Sequence, residues 1–286
     1  MDTTYLWWRC KITVTRRLGK GMHLYDGRII DHKRLNADCY RLTVAAPPIA
    51  QAARPGQFLH VRCGATYDPL LRRPISINTV NRKNGSVTML YRVIGRGTAL
   101  LAQKKVGEQV NVLGPLGQPF TFDPSYRKVA LVAGGLGLAP LYFLLQELNI
   151  DDLVFFQGAR SASEILLTHN IKQLAKELYL ATDDGSAGFK GTVVELFVNQ
   201  LAFQNFDIVY AAGPQPMLRA LCLELKRNHI KGQVSLEERM GCGVGACLCC
   251  NVKIGRGNSW VYKRVCADGP VFDAEEVYWD DSANNG

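Results

Sequence analysis

Between about residues 27 and 112 apolar and polar positions alternate in short runs: GRIIDHKRL, DCYRLTV, QFLHVRC, PISINTV, SVTMLYRVI and EQVNVLG. A period of two sends successive side chains to opposite faces, so each run reads as a half-buried strand. Six short strands at this spacing predict a small closed antiparallel barrel. Pro55-Gly56 marks a turn between two runs, and Asn84-Gly85 predicts a two-residue hairpin. Thr98 is expected to cap a single short helix over Ala99 to Gln103.

After Asp123-Pro124 the texture changes. Lys128 to Ala133 is a continuous apolar run ending in glycines, followed by the helix-like LYFLLQEL and a second buried run, Leu153 to Gln157. Strand-like 178 to 182 and 207 to 213 are separated by VVELFVNQL, and an amphipathic helix runs from Met217 to Lys226. Strands alternating with helices predict a Rossmann-like α/β domain with a parallel sheet covered on both faces. From Lys231 the chain is dominated by glycine and cysteine and ends in an acidic tail. The expected organisation is an N-terminal extension over 1–22, a barrel over 23–123, an α/β domain over 124–230 and a third region over 231–286.

Composition narrows the class. At 47% hydrophobic and 21% charged, the 286 residues exclude a disordered or collagen-like chain. The longest uncharged stretch, Val129 to Gln146, approaches the roughly 20 residues of a bilayer span. It contains Gly134, Gly135, Gly137 and Pro140, however, and so reads as strand, turn and helix start. The run Tyr5 to Trp8 is too short for an export signal. A cytoplasmic location is therefore expected, where thiols stay reduced and clustered cysteines point to metal or redox chemistry.

The nine cysteines supply that cluster. Cys242, Cys247 and Cys250 are spaced C-x4-C-x2-C, and Cys266 follows after fifteen residues. This is the plant-type spacing for a 2Fe-2S cluster, and the glycines at 241, 243 and 245 let the backbone curl round it. Structural zinc is the alternative, yet zinc sites use two C-x2-C pairs and only one is present. Cys249 falls outside the better register and is read as a non-ligand. Cys10, Cys39, Cys63 and Cys222 are read as buried small hydrophobes.

Two further patterns suggest ligands. Arg73, Pro74, Ile75 and Ser76 open a barrel strand, where the arginine can pair with a pyrophosphate and the serine with a polar ring atom. By itself this equally describes a surface arginine and a strand proline. It gains weight from Tyr91-Arg92-Val93-Ile94-Gly95 and Gly97-Thr98, a glycine turn into a helix start. In the α/β domain, Gly134, Gly135 and Gly137 follow a strand, as in a dinucleotide site, but Pro140 stands where a third glycine is usual. A tight strand-to-helix turn is the competing reading. The second strand ends in Gly158 and Arg160 rather than an acidic residue, which leaves NAD and NADP unresolved.

RPISI, YRVIGRGT, AGGLGLAPL, ERMGCGVGAC and YKRVCADGPVF, taken in order, resemble the ferredoxin reductase superfamily. Over residues 23 to 279 they are similar to the electron-transfer subunits of NAD-linked dihydroorotate dehydrogenases. The resemblance implies FAD in the barrel, a nicotinamide nucleotide (NAD as electron acceptor) on the α/β domain, and a 2Fe-2S cluster facing an FMN-containing catalytic subunit. It implies that Arg73, Pro74, Ile75, Ser76, Leu90, Tyr91, Arg92, Gly97 and Thr98 serve FAD. Gly134, Gly135 and Gly137 would serve the nucleotide, and Cys242, Cys247, Cys250 and Cys266 the cluster. It further implies a heterotetramer of two of each chain, acting in pyrimidine biosynthesis. The small subunit of an NADH-dependent ferredoxin:NADP oxidoreductase or of a sulfide dehydrogenase shares this architecture. A zinc-stabilised binding module is a reading of another class.

Absences and charge complete the picture. The five histidines, at 23, 32, 60, 169 and 229, lack ligand spacing and are read as surface or packing residues, and no residue resembles a base poised to deprotonate a carbon acid. Of the net charge of +9, about half falls in residues 1 to 21, where five basic residues face only Asp2. That segment is expected to be a start-site extension or a flexible basic tail. The remaining surplus suggests docking bias toward a protein partner rather than nucleic acid.

Overall fold

A computed structural model describes residues 16–17, 21–64, 66–257 and 259–279. Most of the extension expected over 1–22 lies outside the described residues, as does Cys10. Its one described strand, β1 (Arg16–Arg17), pairs antiparallel with β2 (His23–Arg34).

The six predicted strands are β2, β3 (Cys39–Ala45), β4 (Phe58–Arg62), β5 (Arg73–Asn81), β6 (Ser86–Arg92) and β7 (Gln109–Leu116). They run in the order β2-β3-β6-β5-β4-β7, and β2 pairs with β7 to close the barrel. Ile29, Leu42, Val44, Leu59, Val61, Ile77, Val87, Met89 and Val112 fill its interior.

Three local expectations need correction. The barrel carries a second helix, α1 (Pro47–Ala52), begun by its two prolines, and its Ile49 and Ala50 join the barrel core. The hairpin loop spans four residues, because the Asn81 carboxamide accepts the N–H groups of Lys83 and Asn84 and widens the turn. Finally, α2 covers Arg96–Ala102 with Gly95 at its N-cap. Thr98 is thus the third helical residue, and its hydroxyl reaches back to accept from Ile94 and Gly95.

The α/β domain holds β8 (Lys128–Gly134), α3 (Leu138–Glu147), β9 (Asp152–Ala159), α4 (Thr168–Lys172), β10 (Glu177–Thr182), β11 (Phe189–Lys190), α5 (Val193–Leu201), β12 (Ile208–Ala212) and α6 (Gln215–Arg227). Sheet order is β11-β10-β9-β8-β12-β13-β16, its last strands β13 (Gly232–Ser235) and β16 (Val271–Asp273) coming from beyond residue 230. Strand residues alternate between two cores. Ala130, Val132, Val154 and Phe156 pack under α5 and α6, whereas Val129, Leu131, Leu153 and Phe155 pack under α3.

Helix α3 explains the uncharged stretch. Residues Leu138 to Leu145 are all buried, because the helix lies between sheet and barrel: Phe143 joins the barrel core while Leu141 and Leu144 join that of the sheet. A helix covered on every side needs no polar face. Among the described residues, no helix is long and apolar enough to cross a membrane.

The start of the sheet is pinned by Asp207, whose carboxylate accepts the N–H groups of Arg127 at 2.7 Å and Lys128 at 2.9 Å. Hydrogen bonds from Lys128 and Arg127 hold this carboxyl below its usual range. Its contribution is therefore present above the ordinary carboxylate pKa and lost as pH falls through the lowered value. Asp207→Asn is expected to lower stability at neutral pH by about 1 kcal/mol. Denaturation curves of variant and parent should converge in acid, and a difference independent of pH would contradict this account.

Candidate functional site

Two of the candidate sites meet around α3 and the carboxyl ends of the parallel strands, and the third, the cysteine loop, lies against barrel strand β4. From β8 the sheet winds outward through β9 and β10, while β12 and β13 extend it the other way. The change of direction falls between β8 and β12, the switch point where open α/β sheets take ligands. Gly134 and Gly135 end one strand there and Gly213 and Pro214 follow the other, so the predicted glycines line a cleft of about 420 Å³ with Gly158, Arg160 and Thr192. Gly137 lies behind the cleft wall: a Cβ on it would come 2.0 Å from the Ala212 carbonyl oxygen.

On the barrel side, Arg73 opens β5 as predicted and comes against Gly97, where a Cβ would stand 3.0 Å from the arginine Nε. The Arg73 guanidinium donates to the carbonyl of Leu71 at 2.8 Å and stays half-buried, as do Pro74 and Ser76. This brings the two predicted flavin segments, 73–76 and 91–98, to one place. Their members differ in exposure, since Ile75, Leu90 and Tyr91 are buried in the barrel wall. Tyr91 stacks on Tyr40, with ring centroids 5.6 Å apart, and its hydroxyl lies 2.8 Å from His32 Nε2. Burial then drives the phenol well above its usual range and keeps it neutral.

Arg92 joins barrel and cleft. It pairs with Asp38 at 3.2 Å and with Glu164 at 3.1 Å, and Glu164 also pairs with Arg160. One carboxylate thus ties a predicted flavin arginine to the arginine at the end of β9. Glu164 carried no motif in the sequence, since it is placed by a short 3-10 turn at Ala162–Glu164.

The cysteine loop lies between β13 and β14 (Asn251–Arg256), which pairs antiparallel with β15 (Ser259–Arg264). The Cys242 sulfur accepts N–H groups from Val244, Ala246 and Cys247 at 3.2 to 3.4 Å. Gly245 donates to the Cys266 sulfur at 3.1 Å and Cys266 to that of Cys250 at 3.4 Å. Partial burial raises the Cys242 thiol, but these N–H groups and the Cys247 thiol outweigh it and bring Cys242 down to about 6. Burial and the adjacent Cys250 push Cys266 up to about 12. The four sulfurs accordingly form two pairs, Cys242 with Cys247 and Cys250 with Cys266.

Two pairs suit a binuclear cluster with two thiolates on each iron, and N–H groups aimed at sulfur are its usual support. Cys249 is exposed, after Leu248 in the left-handed conformation, and outside both pairs. Arg264 locks the loop, donating to the Gly245 carbonyl and, through its fork, to both oxygens of Asp268. Cys39, Cys63 and Cys222 are buried free thiols, as expected.

Two residues at this junction escaped the sequence reading. Glu237 follows β13 and lines a second cavity of about 180 Å³ with Gly213, Pro214 and Gln215. Its carboxylate reaches solvent, yet protein surrounds it on most sides and pushes it above the usual range. His60 on β4, read as a surface or packing residue, is buried beneath the cysteine loop.

Comparison with known proteins matches these regions. Residues 237–278 match the iron-sulfur cluster binding domain of dihydroorotate dehydrogenase B, and residues 131–223 match the oxidoreductase NAD-binding domain. A protein of Desulforamulus reducens named dihydroorotate dehydrogenase B (NAD(+)), electron transfer subunit, is 46% identical over 259 residues, 90% of this chain and 99% of its own length. A Geobacillus thermodenitrificans protein of the same name is 41% identical over 252 residues, 87% of this chain and 96% of its own. Among solved structures, a chain of an NADH-dependent reduced ferredoxin-NADP oxidoreductase superposes with a TM-score of 0.80 at 31% identity, covering 89% of this chain and 90% of that one. A ferredoxin NADP+ reductase of Neisseria gonorrhoeae shares the fold at a TM-score of 0.62 and 15% identity, covering 71% of this chain and 91% of that one. With barrel, nucleotide cleft and cysteine loop in the same order along one chain, the protein belongs to the family of dihydroorotate dehydrogenase B (NAD(+)) electron transfer subunits.

Proposed function

We propose that the chain carries electrons from an FMN-containing dihydroorotate dehydrogenase catalytic subunit to NAD, in pyrimidine biosynthesis, using bound FAD and a 2Fe-2S cluster. FAD supplies the chemistry that joins the other two, because it exchanges a hydride with a nicotinamide and single electrons with a cluster. Arg73, beside Gly97 and Thr98, offers a guanidinium for the flavin pyrophosphate, and Pro74, Ile75 and Ser76 with Leu90, Tyr91 and Arg92 shape the wall for its ring. Cys242, Cys247, Cys250 and Cys266 hold the cluster. Gly134 and Gly135 admit the nucleotide backbone, with Gly137 packing the turn behind them. The pairing of Arg160 with Glu164 favours NAD over NADP, since the guanidinium already has a carboxylate partner and a 2′-phosphate would compete for it.

The observation that carries this reading is that the barrel strand with the Arg73–Ser76 motif and the switch-point cleft meet at one helix, α3, while the cysteine loop packs on barrel strand β4. A cytoplasmic heterotetramer of two of each chain fits the free thiols and the family resemblance. The purified chain should show flavin and cluster absorbance and reduce dyes with NADH, yet leave dihydroorotate unoxidised until the catalytic subunit is added. Dihydroorotate oxidation by the chain alone would overturn the division of labour.

The 0.80 superposition also favours a second reading, the small subunit of an NADH-dependent ferredoxin:NADP oxidoreductase. The higher identity to the dihydroorotate dehydrogenase relatives, 46% against 31%, places it second. Identification of the chain that co-purifies from the native host separates the two.

A further inference from the structure

On β4 the side chains of Leu59 and Val61 enter the barrel core, whereas Phe58 joins the core beneath the sheet. His60 lies between Leu59 and Val61, and strand alternation therefore turns it outward, on the face of Phe58. It is nevertheless only 1% exposed, because the cysteine loop covers it. The cover is close: a Cβ on Gly243 would stand 2.6 Å from His60 Nδ1, and Gly243 has a φ of +72°. In the strand register His60 is opposite Pro74 of the flavin segment. Backbone groups of Cys242 and of Arg72 both face its ring, yet neither ring nitrogen reaches hydrogen-bond geometry with a partner.

This is an unusual residue to bury. A leucine would fill the same hollow without leaving two polar atoms unmatched, and buried polar groups ordinarily find partners. At this position the barrel touches Gly243, which adjoins the predicted cluster ligand Cys242. We infer that His60 is a positioning residue between the two redox sites: its ring seats the Cys242–Gly243 turn on the barrel strand beside Arg73–Ser76 and so fixes the cluster relative to the flavin. The inference rests on the function proposed above. It assigns His60 no contact with substrate and no change of protonation.

The test uses the full-length chain loaded with FAD and iron. His60→Leu keeps the bulk and removes the nitrogens, His60→Asn restores a polar atom near Nδ1, and Gly243→Ala pushes on the same contact from the loop. The readouts are the electron paramagnetic resonance spectrum of the reduced cluster, its midpoint potential, its rate of bleaching by an iron chelator, and anaerobic reduction of the flavin by NADH. His60→Leu is expected to bleach at least about tenfold faster, on the scale of other supporting-shell losses, with a shifted spectrum and potential but unchanged flavin reduction. His60→Asn should recover most of the difference, and Gly243→Ala should reproduce the defect. Unaltered spectrum, potential and bleaching in His60→Leu would overturn the inference, as would equal loss of FAD and cluster, which marks a general packing defect. A parent chain that binds no cluster would instead overturn the proposed function.

Discussion

Cys266→Ala is expected to remove the iron-sulfur cluster while leaving a chain that still binds FAD and is reduced by NADH. The sulfur sits under the Gly245 N–H, 3.1 Å away, and beside Cys250, so its loss breaks one of the two thiol pairs. A binuclear cluster takes four thiolates, and three leave one iron open to water. Supporting residues around a metal site typically cost 10- to 100-fold, so loss of a ligand should reduce electron delivery from the catalytic subunit to NAD by more than about a hundredfold. Flavin reduction by NADH depends on the barrel and the switch-point cleft and should stay within about twofold, because sites with no shared partners behave independently. Cys249→Ala is the matched control and should keep its iron. Iron content and visible spectra of the two variants check the assignment. Loss of iron in Cys249→Ala with retention in Cys266→Ala would reverse the ligand register, and zinc in the colourless parent would return the binding-module reading.

The elements legible in the sequence are those set by local periodicity. The six barrel strands and the main strands and helices of the α/β domain follow patterns of period two and 3.6, and packing leaves those patterns intact. The cysteine spacing is equally plain, because three of the four predicted ligands fall within one loop and the fourth follows the β14–β15 hairpin. What periodicity does not show is of two kinds, local side-chain bonds to the backbone and contacts between distant parts of the chain. The flanks of Thr98 suggest a cap, but its hydroxyl, from the third helical position, accepts from the backbone of Ile94 and Gly95. The two-residue hairpin failed through the Asn81 side chain, which competes with the backbone for the turn. His60, Glu164 and Glu237 carry no local signal, since each acquires its surroundings from another domain. His60 reads in the sequence only as a surface or packing residue; the fold is what places it beneath the cysteine loop. Half of the basic surplus of the first 21 residues, Arg9, Lys11 and Lys20 against Asp2, falls outside the described residues.

Gly137→Ala should damage the chain more than any other single methyl group placed in the glycine turn. The residue has an ordinary helical φ of −57°, so alanine is acceptable there by conformation. The obstacle is proximity: the new Cβ would lie 2.0 Å from the Ala212 carbonyl oxygen, 2.3 Å from its carbon and 2.5 Å from the Gly213 nitrogen. All three are backbone atoms at the end of β12, in the middle of the sheet, and none can rotate away as a side chain can. Relief requires moving α3 off the sheet, which also disturbs its contacts with the barrel through Phe143 and through Asn78, whose amide donates to the Ala139 carbonyl. Overpacking of this kind costs about 3 kcal/mol or more, a large share of the 5–15 kcal/mol typical of folded domains. Gly135→Ala gives the contrast. Nothing lies within 4 Å of its Cβ position, but its φ of +53° is left-handed, so the cost is about 1 kcal/mol of backbone strain. Chemical denaturation should separate the two variants by roughly that difference of 2 kcal/mol, and NADH binding should weaken in Gly137→Ala as the cleft wall shifts. Equal stability of the two would mean that β12 and α3 are not in the contact described, and that the switch-point cleft is built on some other packing.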